Sequence, residues 1–172
     1  MTKRLFVVVA VLAVIDARIL GQAKPSIQGV WRAVEVTVTN PNPPAGPNAR
    51  PKGTHTNLEP NLLIFTGKHY SITSDIGVKP RPTMPVNEEG KPTLEELQAR
   101  WGPFVANAGS YELSGDTLTL HIMVAKNPVL QAKGLTTRAT VKLDDKNLWV
   151  TTLEGARGKV ENPSTVKYVR VE

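Results

Sequence analysis

Cysteine is absent from the 172 residues, which removes disulfides, thiolate nucleophiles, cysteine-ligated zinc and iron–sulfur clusters together. Histidine is scarce: His55, His69 and His121 leave little material for a transition-metal site, so neither a metal nor another cofactor is expected. Long hydrophobic runs are missing apart from one near the amino terminus, and even that falls short of the ~20 residues a membrane span needs. Basic residues outnumber acidic ones, 21 to 15, yet they are scattered and form no cluster of the kind that marks nucleic-acid binding. Gly-x-Ser-x-Gly, His-Glu-x-x-His, a P-loop and Gly-x-Gly-x-x-Gly are all missing, so no common hydrolase or nucleotide-binding signature is present.

What the chain does contain begins with an address. Lys3 and Arg4 precede an apolar run from Leu5 to Ile15, and Gly21-Gln22-Ala23 puts small residues at −3 and −1 of a cleavage point. This is the layout of a secretory signal peptide. As a helix the run would rise only about 16 Å against a hydrocarbon core of about 30 Å, so it is too short to span. The expected division is therefore a signal over 1–23 and one mature domain over 24–172, secreted or periplasmic and without stable membrane insertion after cleavage. The missing cysteines suit a bacterial periplasm or medium better than a eukaryotic secretory route. Lys3, Arg4, Arg18 and Asp16 would leave with the signal, taking the formal net charge from +6 to +4.

Beyond Lys24 the pattern is one of strands and turns, punctuated by 14 prolines and 13 glycines. Val30–Thr39 is β-branched and alternating, and Asn40–Pro60 is proline-rich and reads as a long loop. Leu62–Phe65 and His69–Ser74 flank the turn Thr66-Gly67-Lys68. Thr93–Trp101 is the one helix, with Thr93 and Glu96 spaced as a capping box. Ser110–Leu113, Thr117–Ala125, Leu135–Leu143, Asn147–Leu153 and Thr165–Val171 complete a set of eight strands. Sequential hairpins of this number predict an all-β, antiparallel up-and-down barrel, with the helix between strands three and four. The two long connections should share one end of it.

Gly29-Val30-Trp31 resembles the Gly-x-Trp signature of the calycin superfamily, and Asn107–His121 is similar to a stretch of the bacterial lipocalin-like domain family. Arg170 in the last strand stands where calycins often place an arginine over the first-strand tryptophan. The resemblance implies a lipocalin-like barrel with a ligand cavity, Trp31 and Arg170 closing one end, and a small apolar or amphipathic molecule as partner. It implies little defined chemistry.

The candidate site residues follow from side-chain alternation. From an inward Trp31, strict alternation puts Ala33, Glu35 and Thr37 inside; a bulge would instead turn Glu35 to water. His121 shares a face with Met123, opposite Leu118 and Leu120, and lies in the lumen only if that face does. With Arg138, Glu35 and His121 could bind a polar group. Tyr70, Tyr111 and Met123 complete the set of expected ligand contacts. Glu35 and His121 are also the acid–base candidates should the barrel be an isomerase- or cyclase-type enzyme. A third reading is an interaction module whose lumen is packed core.

Overall fold

The computed structural model describes residues 25–43, 49–83, 90–131, 135–155 and 158–172. The expected signal segment lies outside them. Ten strands form one sheet: β1 (Gly29–Val38), β2 (Gly53–His55), β3 (Asn61–Phe65), β4 (His69–Asp75), β5 (Phe104–Ser114), β6 (Thr117–Ala125), β7 (Thr136–Leu143), β8 (Asn147–Gly155), β9 (Gly158–Lys159) and β10 (Thr165–Arg170). The wall runs β1-β3-β4-β5-β6-β7-β8-β10 and closes where β10 pairs with β1, every pairing antiparallel. This is the expected eight-stranded barrel, with β2 and β9 as short additions off the ring.

Tight turns set the hairpin registers. At β7–β8 the Asp144 carboxylate accepts from the backbone N–H groups of Lys146 and Asn147, and these bonds, that from Lys146 foremost, hold its carboxyl below the usual carboxylate range. At β5–β6 Gly115 takes φ 61°, which the turn requires.

The helix α1 (Leu94–Trp101) forms as its capping box dictates. Glu96 N–H donates to Thr93 Oγ1 at 3.2 Å, and Thr93 N–H donates to Glu96 Oε2 at 2.7 Å. Its place differs from the expected one. The proline-rich loop contains β2, held to Val36–Val38, so the helix follows β4 and precedes β5. β5 also starts earlier than its sequence suggests, at Phe104, because Phe104–Val105 pair with Ser74–Asp75. None of the helix residues is buried, and Leu94, Leu97, Trp101 and Phe104 do not line the cavity. Phe104 and Trp101 instead pack edge-on, ring centres 6.1 Å apart, with the Arg81 guanidinium over Phe104 and that of Arg100 over Trp101.

The core fills one half of the barrel. Trp31, Leu63, Phe65, Tyr70, Leu118, Leu148 and Tyr168 are buried together with Ile27, and Tyr111, Leu120, Val141 and Leu143 pack against them. Leu118 and Leu120 therefore identify the apolar face of β6 as the lumen.

Candidate functional site

Trp31 is fully buried at the closed end, and its indole Nε1–H donates to Ile27 O at 2.8 Å. The Arg170 guanidinium lies 4.1 Å from the indole ring centre. Its three nitrogens donate to Ser26 O, Gln28 O and Asp145 O at 2.6, 2.7 and 3.1 Å. The cation thus covers the aromatic face while stitching the residues before β1 and the β7–β8 turn to the last strand. Gly29 makes this possible. It takes φ 137°, and any Cβ there would meet the Arg170 guanidinium and the Glu172 carbonyl. Both the expected closure and the glycine two residues ahead of Trp31 thereby acquire a steric reason.

The opposite half holds a cavity of about 700 Å³. β1, β3, β4, β10 and Val105 of β5 supply its walls, chiefly Ala33, Val36, Val38, Ile72, Val105 and Val166. Asn40, Pro43, Ala49, Arg50 and Leu58 from the first long connection and Ile76 from the second line it too, so both connections meet at this end as expected.

The cavity exists because the wall forks. β1 pairs with β3 only through Gly29–Trp31, and beyond a bulge between Ala33 and Glu35 its Val36–Val38 pair with β2 instead. Asn61 bridges the fork. Its Oδ1 accepts from Ala33 N–H at 2.6 Å, and its Nδ2 donates to Ala33 O at 3.3 Å and to Glu59 O at 2.9 Å. A side-chain amide thus replaces the backbone ladder where the strands part.

The bulge decides the fate of Glu35. With Val34 as the extra residue, Val36 and Val38 turn inward and Glu35 pairs with Lys167 on the outer face. Burying two valines is favourable, whereas an unpaired carboxylate inside would be costly. His121 is likewise outside: it pairs with Ser110, opposite in sense to the inward Leu120 and Tyr111, and its Nε2 lies 3.6 Å from Glu112 Oε1. Arg138 faces out beside Glu154 at 3.7 Å, and Met123 is 66% exposed. Tyr70 and Tyr111 do point inward, but into the packed half. The Tyr70 hydroxyl donates to Asn107 Oδ1 at 2.8 Å, and the Tyr111 hydroxyl donates to Thr66 O at 2.9 Å. Burial pushes the Tyr70 phenol up to about 12. None of these six residues lines the cavity. Glu35, His121 and Arg138 form no joint site.

No family model and no curated protein sequence matches this chain. Among solved structures, a lipocalin-like protein from Bacteroides uniformis aligns over 83% of this chain and 96% of its own, at 10% identity and a TM-score of 0.43. An uncharacterized protein from Bacteroides eggerthii aligns over 83% and 98%, at 12% identity and a TM-score of 0.41. A point mutant of the fluorescent protein UnaG aligns over 85% and 96%, at 15% identity and a TM-score of 0.37. The chain's own strand order closes an eight-stranded antiparallel barrel sealed at one end by Trp31 and Arg170.

In this barrel the residues that shape the site are ones the sequence pattern did not single out. Asp75, 7% exposed at the cavity edge, accepts from Gly77 N–H at 3.0 Å and pairs with Arg81 Nε at 2.6 Å. The Arg81 guanidinium in turn lies 4.8 Å from the Phe104 ring centre, which ties the second connection to the start of β5. Arg50 Nη2 donates to Gly77 O at 2.8 Å and so joins the first connection to the second. The acidic and basic lining residues are thus engaged with the protein itself. Among the described residues no group of three or more histidine, aspartate or glutamate side chains is placed to hold a metal ion.

Proposed function

We propose that this lipocalin-like barrel is an exported binding protein that holds one small, largely apolar molecule between β1, β3, β4 and β10. The observation that carries the reading is the cavity. Its volume of about 700 Å³ and its predominantly aliphatic walls match the size and character of pockets that enclose small ligands. The acid–base alternative loses its support, since Glu35 and His121 lie on the outer face and away from each other's partners.

The test is binding of N-phenyl-1-naphthylamine, a neutral probe whose emission rises in apolar surroundings. The wild-type chain should enhance its fluorescence saturably. Val36→Trp, which adds an indole inside the cavity, should weaken that binding by at least about tenfold, the equivalent of the 1.4 kcal/mol expected from lost apolar contact. Unchanged binding in this variant would place the probe elsewhere, and no binding at all would favour the interaction-module reading.

Export rests on the amino-terminal pattern of Lys3–Ala23. Among the described residues no helix is long and apolar enough to cross a membrane. Exported protein should begin at or near Lys24, which N-terminal sequencing of the extracytoplasmic fraction would check; material beginning at Met1 would refute it.

A further inference from the structure

Each tyrosine of the barrel is inward-facing, and two of the three hydroxyls are matched within the protein. The third is not. Tyr168, in β10 between Val166 and Arg170, is 8% exposed and lines the cavity, and among the described residues its hydroxyl makes no hydrogen bond. Unlike the buried hydroxyls of the packed half, this one opens onto the cavity, so its partner comes from outside the chain, as water or as a bound molecule. Burial pushes its ionisation up to about 12, so at neutral pH it is an uncharged donor.

Its surroundings narrow what it would meet. The charged residues of the cavity lining are Arg50 and Asp75. Arg50 belongs to the connection at the mouth and also borders a shallow hollow with His55 and Val78, whereas Asp75 is already paired with Arg81. An anionic head carried in to Tyr168 would lose its water, face a single neutral donor and share the cavity with the Asp75 carboxylate. A carbonyl oxygen has no such penalty, because one good donor satisfies much of what it gives up.

Building on the binding function above, we propose that Tyr168 is the polar recognition residue of the cavity. Its ligand is an apolar molecule whose buried end carries an uncharged hydrogen-bond acceptor, the carbonyl of a ketone, ester or amide. The residue sets specificity by rewarding that acceptor and leaves the aliphatic walls to hold the remainder.

The experiment displaces N-phenyl-1-naphthylamine from the full chain with three competitors of matched length: methyl decanoate, decanoic acid and undecane. At pH 7.4 the ester should displace the probe at the lowest concentration. Tyr168→Phe should weaken the ester by about three- to tenfold, the range for one hydrogen bond, and leave undecane unchanged. The same variant should melt at or above the wild-type temperature, because the hydroxyl it removes has no internal partner to lose. Decanoic acid competing as well as the ester, Tyr168→Phe binding the ester as tightly as wild type, or a clearly lowered melting temperature would each overturn the assignment while the cavity reading stands. Failure of the probe itself to bind would remove the cavity reading and the assignment with it.

Discussion

Trp31→Ala should destabilise the protein by about 3–5 kcal/mol, the range for deleting a large aromatic side chain from a core. Trp31 is the largest fully buried side chain, enclosed by Leu63, Phe65, Leu118 and Leu148 among others, and alanine would leave a void where barrel closure needs volume. The substitution also removes the surface on which the Arg170 guanidinium rests and the indole donor that satisfies Ile27 O. The two losses act at one place, so they should appear as a single cooperative fall in the urea midpoint. Arg170→Met, which keeps the cover over the ring and gives up the three donor contacts, should cost about 1–3 kcal/mol. A loss below about 1 kcal/mol for Trp31→Ala would show that the end is closed by something other than the tryptophan.

Gly109→Ala is expected to be nearly as damaging, through a different cause. β6 bulges at Met123 opposite Ala108–Gly109, and there its backbone approaches β5 so closely that a Cβ on residue 109 would overlap the His121 carbonyl and press on Met123 N. The obstacle is main chain, with no flexible side chain to step aside. The β5–β6 ladder must therefore shift, at a cost of about 3 kcal/mol for an overpacked site of this kind. Gly67→Ala is the control: nothing lies within 4 Å of its Cβ position, and stability should change by less than about 0.5 kcal/mol. Equal effects at the two glycines in thermal melting would contradict the close approach.

Both variants touch features that the sequence displays unequally. The strand count was legible because each hairpin carries its own punctuation, Gly67, Gly115 or Asp144–Lys146, between β-branched runs. The seal was legible through Gly29, Trp31 and Arg170, since bulky and conformationally special residues leave marks that survive without coordinates. Bulges leave no such mark. The one after Ala33 exchanges Glu35 for Val36 as the inward residue, and it follows from what the barrel must bury and not from the local alternation. The fork was also invisible. Asn61 looks like a turn residue at the end of a proline-rich loop, and only the pairing of β1 with two different strands reveals that its amide stands in for backbone. Tyr168 escaped notice for a third reason: it is distinguished from Tyr70 and Tyr111 solely by lacking the partner that each of them has.

The fork gives β1 two mechanical halves. Its first residues are held on both sides by wall strands and sealed by Trp31 and Arg170, so they can be freed only by undoing the barrel. Its last residues, Val36–Val38, are flanked on one side by three-residue β2, and detaching that short strap severs few bonds while the ring beneath stays closed. Permanence and permeability are thereby assigned to opposite ends of a single strand. Under the proposed binding function a guest would enter by local opening at this strap, at a free energy below that of unfolding, and a tighter seal at the tryptophan end would not slow that traffic.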